Sequence, residues 1–249
     1  MYRFLSVLLI SILIASASPG RAQHMQHQGG AAIEQPYAIQ VFGGFRKMMM
    51  ERDYSPRIAL ADAVKNGTTD GVGAVSGLRG EITVLDGKPI VSYGTGSSGE
   101  ANETAALLVV ASAHGWQEIK VDRDLVDGKE IEAFIVDHAK TRGIDPASSF
   151  PFRFKGELTG YAMHVNAAPN PAFQGHGSSQ PMAIADVREG DSLRGIVVGV
   201  LVAPALVGVA THPMDRSHNH WVSEDGERTA HLDSFGIKAG ATLMLPSGT

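Results

Sequence analysis

The chain opens on an unbroken apolar run, Phe4 to Ala15, preceded by Arg3 and followed by the small residues Gly20 and Ala22. A basic start, a short apolar stretch and small residues before a cleavage point predict a secretory signal peptide over 1–22, too short to span a membrane comfortably. Residues 23–35 are polar and contain glycine, and they read as a flexible leader. The pattern then becomes periodic. Within 46–65, Ile58, Leu60, Ala61 and Val64 recur at helical spacing after Ser55-Pro56, and Asn66-Gly67 ends the run. Glu81 to Leu85 and Pro89 to Tyr93 flank Asp86-Gly87, a hairpin signal. Ala105 to Ser112 reads as a buried strand. Ile131, Phe134, Ile135 and His138 share one face of a helix over 130–141, which puts His138 at the boundary with solvent.

Beyond Pro146 the pattern is strand and turn throughout. Phe150 to Phe154, Glu157 to Val165, Pro181 to Val187 and Gly195 to Val202 are expected strands, followed by two C-terminal hairpin strands. The chain is therefore expected to be α+β and strand-rich. Residues 36–145 would form an N-terminal part around a mixed β-sheet. Residues 146–249 would form a C-terminal, β-barrel-like part.

Composition sharpens this picture. With 29 Gly, 12 Pro and 6% aromatics, the chain suits many short strands joined by turns. It has no Cys, which excludes disulfides, lipid attachment at a leader cysteine and thiolate chemistry. The formal charge of −5 becomes more negative once a segment holding Arg3 and Arg21 and no acid is removed, so nucleic-acid binding is not expected. The mature protein is expected outside the cytoplasm, secreted or periplasmic and free of the membrane after cleavage. Its expected partner is a small-molecule substrate, and a homodimer is compatible with the chain.

The strongest chemistry lies in His218-Asn219-His220-Trp221 and His231-Leu232-Asp233. Residues two apart on a strand share a face, so His218 and His220 can reach one ion while Trp221 points to the core. Ser223 to Arg228 is rich in turn formers and can return the chain so that His231 joins the pair. Three neutral imidazoles plus water make a catalytic Zn2+ site with an open position. Glu224, four residues after His220, also partly fits a cupin-like pattern, although His212 and His231 hold the places of its glycines. Gly94 to Gly99 lacks the Lys-Ser/Thr ending of a phosphate loop and reads as a plain loop.

A second segment lies far upstream. Gly71-Val-Gly-Ala-Val-Ser-Gly-Leu-Arg-Gly-Glu81, running on to Leu85-Asp86-Gly87, resembles a stretch of the α-acetolactate decarboxylases. The His218–Asp225 and His231–Asp233 segments resemble that family's histidine stretch, and Arg194 to Val200 resembles the strand between. The likeness runs from about residue 40 onward. It implies zinc held by His218, His220 and His231, with Glu81 orienting or protonating the intermediate as 2-acetolactate, or a related 2-hydroxy-3-oxo acid, yields acetoin and CO2.

Two departures stand beside the resemblance. His164 occupies the place of the family's arginine and is the candidate stand-in for it. The family continues past its last Leu-Pro strand into a glutamate-bearing tail, whereas Leu245-Pro246 is followed here by Ser-Gly-Thr. Two alternatives stay open: a non-catalytic metal- or small-ligand-binding protein on the same fold, and a cupin-like metalloenzyme with Glu224 as a ligand.

Overall fold

The computed structural model describes residue 37 and residues 39–64, 67–99 and 102–247; the expected signal peptide and leader lie outside the described residues. Two antiparallel sheets face each other. The first contains β1 (Ile39–Phe42), β2 (Ile58–Ala59), β3 (Thr69–Val75), β4 (Gly80–Leu85), β5 (Lys88–Tyr93) and β6 (Thr104–Ser112). Its order is β1-β6-β3-β4-β5, with β2 pairing onto β6. The second contains β7 (Trp116–Lys120), β8 (Phe150–Pro169), β9 (Ala183–Leu201), β10 (Ser217–Val222), β11 (Thr229–Ile237) and β12 (Thr242–Pro246). Its order is β11-β10-β9-β8-β12-β7. Because β11 also returns to pair with β8, the strands β8, β9, β10 and β11 form a closed ring of pairings.

Alternation along the strands explains the layers. Val72, Ile90 and Val109 of the first sheet meet Val198, Val200 and Val222 of the second. The opposite face of the first sheet, with Ile82, Val84, Leu108 and Val110, is covered by Leu60 and Ala63 of α2 (Leu60–Ala63). The outer face of the second sheet buries Phe150, Phe152, Phe154 and Trp221 in one core with Ile131, Phe134 and Ile135 of α3 (Gly128–Thr141). Asp127 caps α3 by accepting from the backbone N–H groups of Lys129 and Glu130. His138 sits half-buried against the Phe134 ring, at the boundary its spacing predicted.

The expected hairpin forms at Asp86 (φ 51°) and Gly87 (φ 74°), two successive left-handed residues whose twist suits the strands they join. The helix expected within 46–65 does not form as one piece. It divides into α1 (Phe45–Glu51), an extended stretch carrying β2, and the single turn of α2. Pro56 lacks an N–H and disfavours helical backbone before it, and the Arg57 N–H pairs instead with the Ala105 carbonyl at 2.8 Å. The four separate strands expected between 150 and 202 merge into β8 and β9, with Gly160 (φ 51°) turning the chain inside β8 where a side chain would be strained.

The change of sheet falls between Ser112 and Trp116 and not near residue 145. β7 pairs with β12, Trp116 opposite Pro246 and Ile119 opposite Leu243, and α3 packs on the same sheet. Residues 34–249 make one compact unit. Among the described residues no helix is long and apolar enough to cross a membrane.

A buried ion pair joins the sheets. Arg153 of β8 donates from Nε and Nη2 to both carboxylate oxygens of Asp70 on β3, each at 2.5 Å, and from Nη2 to Asp86 at 2.6 Å. The Trp116 ring lies 4.4 Å from its guanidinium carbon. Removing one member leaves the other charge buried and under-paired, which costs far more than the pair contributes net. Asp70→Asn should therefore lower unfolding stability by about 3–5 kcal/mol in guanidinium titration; a loss under about 1 kcal/mol would show that the clamp is dispensable.

Candidate active site

Four strands each send two side chains, spaced two residues apart, toward one region between the sheets. β4 contributes Glu81 and Thr83, β8 His164 and Asn166, β10 His218 and His220, and β11 His231 and Asp233. Register makes the cluster. His220 stands opposite His231, and His231 stands opposite His164, so three imidazoles form a row across β10, β11 and β8. His218 lies one pleat further along β10. The ligating atoms of His218, His220 and His231 all fall within 4.8 Å of one another.

Hydrogen bonds settle which nitrogens are free. The Nδ1–H of His218 donates to the Ala210 carbonyl at 3.0 Å; a carbonyl can only accept, so Nε2 keeps its lone pair. His220 follows from counting protons. The Thr229 hydroxyl donates to the Trp221 carbonyl at 2.9 Å, so at 2.5 Å it must accept from Thr83. The Thr83 proton is thereby used, and its oxygen accepts from His220 Nδ1 at 3.1 Å. The two Nε2 lone pairs then face each other 3.2 Å apart in a buried site. That contact is repulsive without a cation. It also matches the edge of about 3.3 Å between two ligands of a tetrahedral ion with bonds near 2.0–2.1 Å. The donor set thus fits a metal ion, and the outer nitrogens of His218 and His220 are held as ligating histidines require.

Electrostatics agree. Burial pulls His218 down to about 4, with the nearby charge of His164 adding to the effect. Burial and the neighbouring imidazoles hold His220 and His231 well below the ordinary histidine range. All three are therefore neutral near pH 7. Glu81 reaches the cluster from the facing sheet, with Oε2 3.7 Å from His220 Nε2 and Oε1 3.9 Å from His164 Nε2. Burial pushes its carboxyl up to about 8, against the opposing charge of His164 and a hydrogen bond from Asn166.

His164 stands where the sequence resemblance expects an arginine. Its Nδ1–H donates to both oxygens of Asp233, at 2.9 and 2.8 Å. Burial lowers its pKa, but the hydrogen bond to Asp233 and the charges of Glu81 and Asp233 outweigh burial, and the net shift is upward. Asp233 owes its aim to a β-bulge: Leu232 pairs with Met163 and Ser234 with Ala162, leaving Asp233 as the extra residue. Arg216 also borders the site, yet its guanidinium is bound to Glu132 and to the carbonyls of Pro146 and Val202.

All five residues singled out in the sequence, Glu81, His164, His218, His220 and His231, come together. Sequence reasoning missed Thr83 and Asn166, and gave Asp233 no role; each lies two residues from a recognised one, a spacing that carries weight only once the face is known. Glu224 does not join them. It sits exposed in the turn after β10, paired with Arg194 at 3.3 Å, because the turn formers that reverse the chain also carry it outward. This removes the cupin-like ligand set. Trp221 packs in the core under the second sheet, as alternation predicted.

The cluster forms one end of a cleft of about 1220 Å³, lined by Glu81, His164, Asn166, His218 and His231 there. Thr83→Val removes one of two acceptors that orient His220, leaving the Ile82 carbonyl, and should weaken zinc affinity about tenfold in chelator competition; unchanged affinity would show that Thr83 is only packing. Protons compete with a metal for imidazole, so affinity falls as pH falls through the ligand pKa values. Three imidazoles at their ordinary values would lose affinity roughly several hundredfold from pH 6 to pH 5. Ligands that are already neutral in the free protein release no proton on binding, so the loss should stay within about tenfold.

The sequence pattern of the family Alpha-acetolactate decarboxylase matches residues 42–245. Among solved structures, alpha-acetolactate decarboxylase from Bacillus subtilis strain 168 aligns with a TM-score of 0.66 at 13% identity, covering 84% of this chain and 85% of that one. A Staphylococcus aureus protein described as of unknown function and similar to alpha-acetolactate decarboxylase aligns with a TM-score of 0.65 at 13% identity, covering 85% of each chain. Acetolactate decarboxylase from Bacillus subtilis subspecies spizizenii gives 0.64 at 14% identity, covering 85% of this chain and 86% of that one. No protein of curated function matches in sequence. The family pattern spans nearly all of the described residues, strands of both sheets and every residue of the cluster, and the chain belongs to the alpha-acetolactate decarboxylase family.

Proposed function

We propose that this protein is a zinc-dependent decarboxylase of 2-hydroxy-3-oxo acids that converts 2-acetolactate to acetoin and CO2. The observation that carries the reading is the pair of inward lone pairs on His218 and His220, set beside a buried carboxyl that reaches in from the other sheet. His218, His220 and His231 would hold the ion; three neutral imidazoles favour Zn2+ with an open position. When bound, that ion supplies Lewis acidity for the electron pair released as the carboxylate departs.

The chain's own residues supply the rest. In the reaction the bond from C2 to the carboxylate carbon breaks, CO2 leaves, and C2 takes up one proton. Glu81 is suited to deliver it, because its carboxyl reaches the cluster from the facing sheet and Asn166 fixes its orientation. His164 directs Nε2 toward Glu81; with its Nδ1–H committed to Asp233, it donates from Nε2 to a substrate oxygen in its protonated form, the task of the family's arginine. An imidazolium held this way has one N–H left for the substrate where a guanidinium offers a fork, so the substrate is held less rigidly. Export by the segment 1–22 would place this activity outside the cytoplasm.

Acetoin formation from racemic 2-acetolactate by the zinc-loaded mature protein, corrected for the spontaneous background, tests the reading. Turnover should be lost in His218→Ala. It should fall about 10²–10⁴-fold in Glu81→Gln with zinc still bound. Zinc bound at one equivalent without turnover would instead leave a metal-binding protein on this fold. That alternative is favoured by one observation, the histidine at the arginine position.

A further inference from the structure

The cleft is far larger than 2-acetolactate needs. At about 1220 Å³ it exceeds the roughly 300–1,000 Å³ in which drug-sized ligands are commonly held. A five-carbon acid would occupy only the polar end, beside His218, His231 and Glu81. The remainder is mixed: Asp127, Lys129, Glu132, Asp215 and Arg216 line part of it, while Met48, Leu78, Leu107, Phe173 and Met182 form an apolar wall. Met48, Leu78 and Leu107 belong to one buried cluster, so the wall is preformed, while the unbranched methionines can adjust to a guest.

The rim continues the same character. Among the described residues five large hydrophobic side chains are notably exposed, and three of them, Ile184 (52%), Val187 (60%) and Met214 (86%), line this cleft. Scattered exposed apolar residues need no explanation, but a concentration around one mouth does. A polar, metal-suited end continuous with an apolar arm and an apolar mouth describes an amphipathic small molecule whose head is the reacting group.

We infer that the physiological substrate is a 2-hydroxy-3-oxo acid bearing a long apolar substituent, with its head at the histidine cluster and its chain along the methionine-lined arm. This rests on the decarboxylase reading and names its substrate class. Each methylene taken out of water along the arm should tighten binding about threefold to fourfold.

The test is calorimetric binding of straight-chain 2-hydroxy acids, from lactate to 2-hydroxydecanoate, to the zinc-loaded protein, alongside decarboxylation of 2-hydroxy-3-oxo acids of matching chain length. Affinity should climb with chain length, and Met182→Asp or Ile184→Asp, checked for unchanged melting temperature, should flatten the climb. A flat series in the unaltered protein overturns the inference even if 2-acetolactate is decarboxylated. A climb that both aspartates leave intact overturns it as well, since the chain then binds elsewhere. A climb flattened by the substitutions but without decarboxylation of any member supports the apolar arm and sinks the reaction alone.

Discussion

The site depends on strand register. His220, His231 and His164 form one row only because β10, β11 and β8 pair with those residues directly opposite one another. A slip of one residue on any of the three strands would turn its imidazole to the core beneath the sheet, where Trp221 and Leu232 now lie. The closed ring of pairings resists such a slip, since moving one strand breaks its ladder with two neighbours. The bulge at Asp233 re-aims one carboxylate onto His164 without disturbing the row.

The second sheet alone is insufficient. Glu81 and Thr83 belong to the facing sheet, and both must approach within hydrogen-bonding or charge-pairing distance of His220. The valine layer between the sheets holds the separation but, being apolar, is weakly directional. Arg153 adds direction: its planar guanidinium meets Asp70 at two points and ties β8 to β3, whose neighbour β4 carries Glu81. A buried charge pair outside the cluster thus helps set the position of Glu81 beside the histidines.

Within that frame, polarity is divided sharply. Burial keeps three imidazoles neutral and one carboxyl protonated, while the Asp233–His164 pair supplies charge at the edge of the site. The cleft thus joins this polar cluster to a wall of Met48, Leu78, Leu107, Phe173 and Met182. A guanidinium would carry a permanent charge at position 164; the histidine carries one only as far as Asp233 and Glu81 sustain it.

Much of this was legible in the amino-acid order. Local rules sufficed for the Asp86-Gly87 hairpin, the amphipathic α3 and the strand-rich class, because each depends on neighbours a few residues away. The same holds for His218 and His220 sharing a face, and the spacing to His231 then made a metal site readable, with Glu81 and His164 marked by family resemblance. What failed were readings that needed a partner from elsewhere. Helical spacing over 58–64 gave way once Ile58 found the edge of β6, and the boundary expected near 145 dissolved once β7 found β12. Thr83, Asn166 and the part played by Asp233 emerge only when four strands from distant parts of the chain meet. By itself the sequence determined which strands carry ligating groups and on which face, since alternation is a property of the local backbone; the tertiary structure alone decided which of those faces meet, because register and sheet packing are set by contacts between residues far apart along the chain.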